Sequence, residues 1–448
     1  MKAFTLLCLL MSASLAAAPA PVVFTHVTVV PMDDASVLAD RHVFLRDGRI
    51  ERIVPAVEAG STEGYTVIAA RGRYLLPGLA EMHAHIPGVA QREFAEDVLT
   101  LYVAHGVTTI RGMLGEPWHL ELRDAVARGD VLGPRIYTAG PSFNGNSVES
   151  PAQAARMVAE QVDAGYDFLK LHPGLEREEF DAIVATAREL GIEFSGHVSS
   201  AVGVPRALAA RQRAIDHQDG YIDALVAAPP GDRPAGFFGF NLVDAADEGR
   251  IPGLARATRQ GGVWIVPTET IMLNALSPEP PDVLAARPEM AYLPAELVER
   301  WTGAKRSFLA NPHYGEARAE RFFALRRALL AEMHAAGVEL LLGSDSPQFF
   351  NVPGFSIYHE LEAMRAAGLS NHEVLRSGTV NVARFYGAES RYGAIREGLE
   401  ADLVLLEDNP LESLETLQRP AGVVLRGLWL DREMLDQRLA AIRARRHE

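Results

Sequence analysis

The stretch HAAGVELLLGSDSP, residues 334–347, decides the fold. Its first part reads as the end of an amphipathic helix, and Gly337 supplies the left-handed residue that caps such an end. The apolar run that follows is what a parallel strand buried on both faces needs. The same junction recurs in AHGVTTI (104–110), DAGYDFLK (163–170), ELGIEFSGH (189–197) and RQGGVWIV (259–266). The chain is therefore a series of βα units. Strands are expected at 79–85, 107–113, 134–140, 167–172, 193–198, 214–218, 263–268 and 338–344, and eight of them predict an α/β fold, a (β/α)8 TIM-type barrel over 78–385. No GxGxxG or P-loop follows any strand, so nothing supports the alternative of an open doubly wound sheet.

Two flanking segments, 21–77 and 386–448, lack this rhythm. VFLRDGRIERIV (43–54) alternates and turns at Asp47-Gly48, a good hairpin dipeptide. ADLVLLEDNP (401–410) and GVVLRGLWL (422–430) also read as strands. Together the two ends are expected to build one small β-sandwich domain. The polar, proline-containing stretch 272–323 is too long for a simple loop and is expected to be a lid insertion over the barrel mouth.

The first 20 residues, MKAFTLLCLLMSASLAAAPA, pair Lys2 with a short apolar segment and a small-residue cleavage region. They read as a Sec signal peptide, which predicts a periplasmic or secreted protein. The apolar run is shorter than the ~20 residues of a membrane helix, and no later segment approaches that length, so no membrane span is expected. Cys8 is the only cysteine, which leaves the mature chain without disulfides, thiolate catalysis or cysteine-ligated metal. The 43 basic and 58 acidic residues give a formal charge of −15, which speaks against nucleic acid as a partner. A small molecule or dipeptide is the expected partner; the sequence leaves a homo-oligomer open.

Active sites of such barrels gather at the carboxyl ends of the strands. There the sequence places His83 and His85, then Lys170, His197, His217 and Asp345. Imidazole and carboxylate suit zinc, the expected ion, and also manganese, iron or cobalt. Four histidines and a carboxylate exceed the needs of one tetrahedral ion, so two divalent ions are expected. Beside two cations a buried ammonium is disfavoured. A neutral Lys170 could take up carbon dioxide, and the resulting carbamate has two oxygens to bridge both ions. Three substrate contacts are also expected. His172 should face the mouth, Tyr221 could donate a hydrogen bond to the carbonyl oxyanion, and Arg111 could pair with a substrate carboxylate. His359 in SIYHELEAM reads as the start of a helix.

PGLAEMHAHIPG (77–88), DFLKLH (167–172), GHV (196–198), IDHQDG (215–220), LLLGSDSP (340–347) and the tail 367–411 resemble the amidohydrolase superfamily. They are most similar to its imidazolonepropionase-like group, which includes exported Xaa-Pro dipeptidases. The resemblance implies one metal on His83, His85 and Asp345, a second on His197 and His217, and carboxylated Lys170 between them. It also implies that Asp345 takes a proton from a metal-bridging hydroxide precursor and returns it to the leaving amine. Mononuclear deaminases of the superfamily lack the strand-4 lysine and carry glutamate where this chain has Ser200, so amide hydrolysis is favoured over deamination. The expected enzyme cleaves dipeptides or N-acyl amino acids. The alternatives are a lactonase or cyclic amide hydrolase on the same site and a catalytically silent binding protein. Two positions depart from the group: Glu81 stands where aspartate is usual, and Gly112 stands where Arg111 would be followed by aspartate.

Overall fold

The structure, a computed structural model, describes residues 19–227 and 235–446. Residues 1–18, the bulk of the expected signal peptide, lie outside the described residues.

Strands β1 (Val22–Val29), β2 (Leu38–Arg46), β3 (Arg49–Pro55), β4 (Thr66–Ala69) and β5 (Tyr74–Pro77) come from the N-terminal segment. The β2–β3 turn falls on Asp47 and Gly48, both with positive φ, the conformation a tight twisted hairpin needs.

Seven strands follow with helices between them: β6 (Leu79–Ala84), β7 (Val107–Gly112), β8 (Arg135–Thr138), β9 (Leu169–Leu171), β10 (Phe194–Gly196), β11 (Ala214–Asp216) and β12 (Trp264–Val266). Parallel ladders join β6 to β7 and β8, and β9 to β10, β11 and β12. A parallel bridge between Ala139 and Phe168 connects the two runs. The expected eighth strand, 338–344, is extended backbone that joins β12 through an Ile265–Leu340 bridge. It also joins β6, where the Met82 amide donates to the Leu342 carbonyl. The eight parallel segments therefore run in chain order and return to the first, so their carboxyl ends face one mouth.

Local chemistry sets the helix ends. Helix Pro151–Ala164 starts where the Ser150 hydroxyl accepts the Gln153 amide, with proline in the first turn. It stops at Gly165 with φ 85°, a left-handed residue that leads directly into β9.

The two chain ends meet in one sheet. Strands β13 (Leu403–Leu406), β14 (Gly422–Leu425) and β15 (Leu428–Asp431) extend it in the order β15-β14-β13-β5-β1-β2-β3, with β4 paired on β1. The expected strands of both ends thus belong to one continuous sheet, whose side chains Phe24, Val43, Leu75, Leu403 and Val424 share a core. C-terminal helix Arg432–Arg446 packs on helix Arg92–Ala104, and Arg445 and Arg446 both pair with Asp97. Leu435, Leu439 and Ile442 share a core with Leu101 and Val103.

Most of 272–323 is helical, in Glu269–Leu276, Pro281–Ala285, Ala295–Leu309 and the first part of Glu316–Ala335. Buried Lys305 anchors it by donating to the Asn274 carbonyl (2.6 Å) and the Ser277 carbonyl (2.9 Å). No described helix is long and apolar enough to cross a membrane.

Candidate metal centre

Five of the six expected ligands converge directly. Each of His83, His85 and Asp345 offers a ligand atom within 4.8 Å of the others, and His85 Nε2 lies 2.8 Å from Asp345 Oδ1. The His217 ring sits 4.5 Å from that of His83 and 4.6 Å from that of His197. Lys170 Nζ donates to Asp216 Oδ2 at 3.1 Å, and the same oxygen is 3.4 Å from His83 Nδ1. The six side chains therefore form one cluster at the carboxyl ends of the ring.

Glu81 organises the first half of the cluster. Fully buried, it accepts the backbone amides of His83 (2.9 Å) and Ser344 (2.8 Å) and the Ser344 hydroxyl. This ties the end of β6 to the segment that carries Asp345. Burial pushes its carboxyl up to about 8, against the hydrogen bonds from Ser344 and His83.

Partners of the other ring nitrogen fix the second pair of imidazoles. His197 Nδ1 lies 2.9 Å from Asp219 Oδ2, a carboxylate that makes Nδ1 the donor. His217 Nδ1 lies 2.7 Å from Thr268 Oγ1, whose own proton goes to the Pro267 carbonyl. Both rings therefore present an unprotonated Nε2, the form a metal needs. Arg326 supports His217 by donating to its carbonyl (2.7 Å) while paired with Glu269. Glu269 in turn accepts from Gln218 (2.7 Å), next to His217.

Electrostatics favour neutral nitrogens. Burial drives His83 and His217 well below the ordinary histidine range, with Lys170 adding to the effect on His83 and His83 itself on His217. Burial also lowers Lys170, against the pull of Asp216 and Asp345. Gly196, beneath this lysine, has φ 127°, and an added Cβ would come within 2.9 Å of Lys170 Cδ and 2.3 Å of the Leu171 carbonyl oxygen. His83 Nδ1 and Asp345 Oδ1 are buried without a hydrogen-bond partner. Two buried ligand atoms without a hydrogen-bond partner, set amid four imidazoles, fit a divalent cation, because such groups are costly to bury unsatisfied.

The expected substrate contacts fare differently. His172 faces the mouth, its ring stacked 5.0 Å from His197, and burial pushes it down to about 2. Tyr221 does not face the site. Its hydroxyl lies 2.8 Å from Thr258 Oγ1 on helix Ile251–Gly261, and its ring is fully buried in the core. Arg111 is also not free for a substrate carboxylate. It is 1% exposed, donates to the Met82 carbonyl (2.7 Å) and pairs with Asp216 (2.9 Å). Asp216 thus serves Arg111 where Gly112 leaves no acid. His359 lies within helix Phe355–Ala366, on a cavity with Thr270 and Arg287. Ser200 is exposed.

Sequence reasoning missed Asp216, Asp219 and Thr268. The signal for the two aspartates was present in IDHQDG, where both lie within two positions of His217.

A ring of parallel strands with histidines and an aspartate clustered at its carboxyl ends defines a metal-binding α/β fold. The chain belongs to the amidohydrolase family, whose profile matches residues 74–430. It is similar to ochratoxinase of Aspergillus niger, 36% identical over 90 residues that make up 20% of this chain and 18% of that one. It is also similar to adenine deaminase of Rubrobacter xylanophilus, 31% identical over 200 residues, 40% of this chain and 32% of that one. The chain thus spans less than a third of the length of either relative. It shares its fold with a Xaa-Pro dipeptidase solved with bound methionine, at TM-score 0.66 and 18% identity, covering 92% of this chain and all of that one.

Proposed function

We propose that the chain is an exported, binuclear metal-dependent amidohydrolase that cleaves amide bonds of dipeptides or N-acyl amino acids. The ring is read as a (β/α)8 barrel and the sheet of both chain ends as its small β-sandwich companion. His83, His85 and Asp345 would hold one ion, His197 and His217 the second, and Lys170 as a carbamate would bridge them. The observation that carries this reading is the convergence of these six side chains, with His197 and His217 both held as Nε2 ligands. When bound, two divalent ions supply a nucleophile at neutral pH and polarise a carbonyl.

The chain's own groups do the rest. Lys170, lowered by burial, can react as the free amine: its nitrogen bonds to the carbon of carbon dioxide, and one proton leaves to solvent. Arg111 and Asp216 lie beneath it, and Asp216 releases Lys170 when the carbamate forms. Asp345, at the mouth, accepts the proton of the attacking water and returns it to the leaving amine nitrogen as the carbon–nitrogen bond breaks. His172, neutral and stacked beside His197, is placed to meet the substrate carbonyl. Helices of 272–323 form the lid that limits access to water.

Ser200 and Lys170 argue against deamination, since the glutamate expected of a mononuclear deaminase is missing. The N-terminal 20 residues support export to the periplasm or beyond. The test combines metal analysis with an assay on dipeptides, N-acyl amino acids and lactones. About two ions per chain and amide hydrolysis that is lost in Lys170→Ala are expected. Fewer than one ion per chain, or full activity in that variant, would overturn the mechanism; turnover of lactones alone would move the substrate class.

A further inference from the structure

Four phenyl rings from three separate segments meet beside the second histidine pair. Phe238 lies 5.1 Å from the His217 ring and 5.8 Å from that of His197, nearly parallel to it at 23°. Phe237 meets Phe238 edge-on at 4.6 Å and reaches Phe308 at 5.0 Å, and Phe308 reaches Phe349 at 5.7 Å. Phe308 comes from the end of helix Ala295–Leu309, and Phe349 lies four residues past Asp345. The row runs from the His197 and His217 rings to the segment that follows Asp345.

Partial exposure sets these rings apart from ordinary core packing. All four are only partly buried, whereas neighbouring Phe240, Phe322 and Phe350 are buried in the core. Phe238 holds a left-handed backbone (φ 49°, ψ 40°), a feature it shares with Phe349 (φ 43°) and with buried Phe350 (φ 61°). Phe237 and Phe238, though not Phe308 or Phe349, line a cavity of about 690 Å³ beside His197, whose wall is apolar at Leu175, Val198 and Val226 and charged at Asp223 and Arg250. Its volume is in the range of small-ligand pockets.

We infer that this aromatic row is the subsite for a large apolar side chain, aromatic by preference, carried next to the scissile bond. This rests on the hydrolase reading above and narrows its substrate class. Offset and edge-on ring contacts reward an aromatic substituent beyond its buried area. A substrate lacking one leaves the row wet.

The test compares N-acetyl-L-phenylalanine and N-benzoylglycine with N-acetylglycine on the metal-loaded enzyme. The first two place a ring on either side of the bond, and the third has none. At least one ring-bearing compound should be preferred by tenfold or more in kcat/KM, and Phe237→Ala with Phe308→Ala should cut that ratio about tenfold. Should that pair fail to fold by thermal melting, Phe308→Ala alone should lower the ratio in the same direction. Calorimetry of phenylalanine and benzoate against glycine and acetate supplies a readout without turnover, and the ring-bearing products should bind more tightly in the parent than in the variant. Hydrolysis with no ring preference, or a ratio unchanged by the substitutions, overturns the inference and leaves the hydrolase reading standing. No hydrolysis with ring-selective binding sinks the hydrolase reading and keeps the row as an aromatic subsite. Neither hydrolysis nor ring-selective binding overturns both.

Discussion

Replacing Asp219 by alanine should weaken one metal site and spare the other. Asp219 Oδ2 holds His197 Nδ1 at 2.9 Å and also accepts the Val198 amide at 3.2 Å. The two side chains are only 10% and 13% exposed, so little water can replace the carboxylate. Without it the ring is free to rotate and to carry its proton on Nε2, the nitrogen the metal needs. Partners of this kind are worth about 10–100-fold in metal affinity, or ~1.4–2.7 kcal/mol. Competition of the metal-free protein with a chromophoric chelator measures this. The site of His197 and His217 should weaken by that factor while the site of His83, His85 and Asp345 is little changed. Asp219→Asn retains one acceptor oxygen and should fall between the parent and alanine. In a His197→Ala background the substitution should cost little more, because Asp219 acts through that ring. Equal weakening of both sites, or full additivity with His197→Ala, would refute the reasoning.

Three further outcomes are expected. Tyr221→Phe should lower stability to urea by about 1 kcal/mol, the worth of one buried hydrogen bond to Thr258, with kcat unchanged; a tenfold loss of kcat would return the hydroxyl to the site. Arg326→Met leaves Glu269 buried without its ion partner and should cost about 3–5 kcal/mol in denaturant unfolding. Glu360, buried and accepting the Glu269 and Thr270 amides, is pushed up to about 8 by burial and by the nearby Glu269 carboxylate. Its unfolded form ionises near the ordinary 4.5, so between these values the folded chain binds the extra proton. Stability of the chelated protein should therefore fall as pH rises through this window, by up to ~1.4 kcal/mol per pH unit from this group. Glu81 adds a similar slope. Glu360→Gln should remove its share in denaturant melts at several pH values, and an unchanged slope would contradict the assignment.

Most strands of the ring were legible because they are short, buried and introduced by a glycine that ends the preceding helix, as at Gly106, Gly165, Gly191, Gly262 and Gly337. The eighth segment matched its apolar pattern, yet only Leu340 takes a regular bridge; its other backbone bonds go to Met82 of β6, Ile265 of β12 and Ser377. The convergence of the histidines and Asp345 was legible because such residues at strand ends of one ring must face the same mouth. Asp216 was not, since strict alternation turns it away from its neighbour His217. The φ of 64° at His217 bends the backbone so that both reach the cluster. Tyr221 misled for a related reason. The turn at 218–220 reverses the chain, and helix Tyr221–Ala224 aims the ring at helix Ile251–Gly261. Arg111 sits near the end of β7, but its guanidinium turns inward to a carboxylate 105 residues away, a pairing that no local pattern encodes. The joining of β5 with β13, more than 300 positions apart, is equally non-local.

Anomalous diffraction from crystals grown with zinc and bicarbonate tests the central claim most directly. Two peaks are predicted, one among His83, His85 and Asp345 and one between His197 and His217, with carbamate density extending from Lys170 Nζ toward both. A single peak, with Lys170 still bonded to Asp216 as a bare amine, would contradict the account.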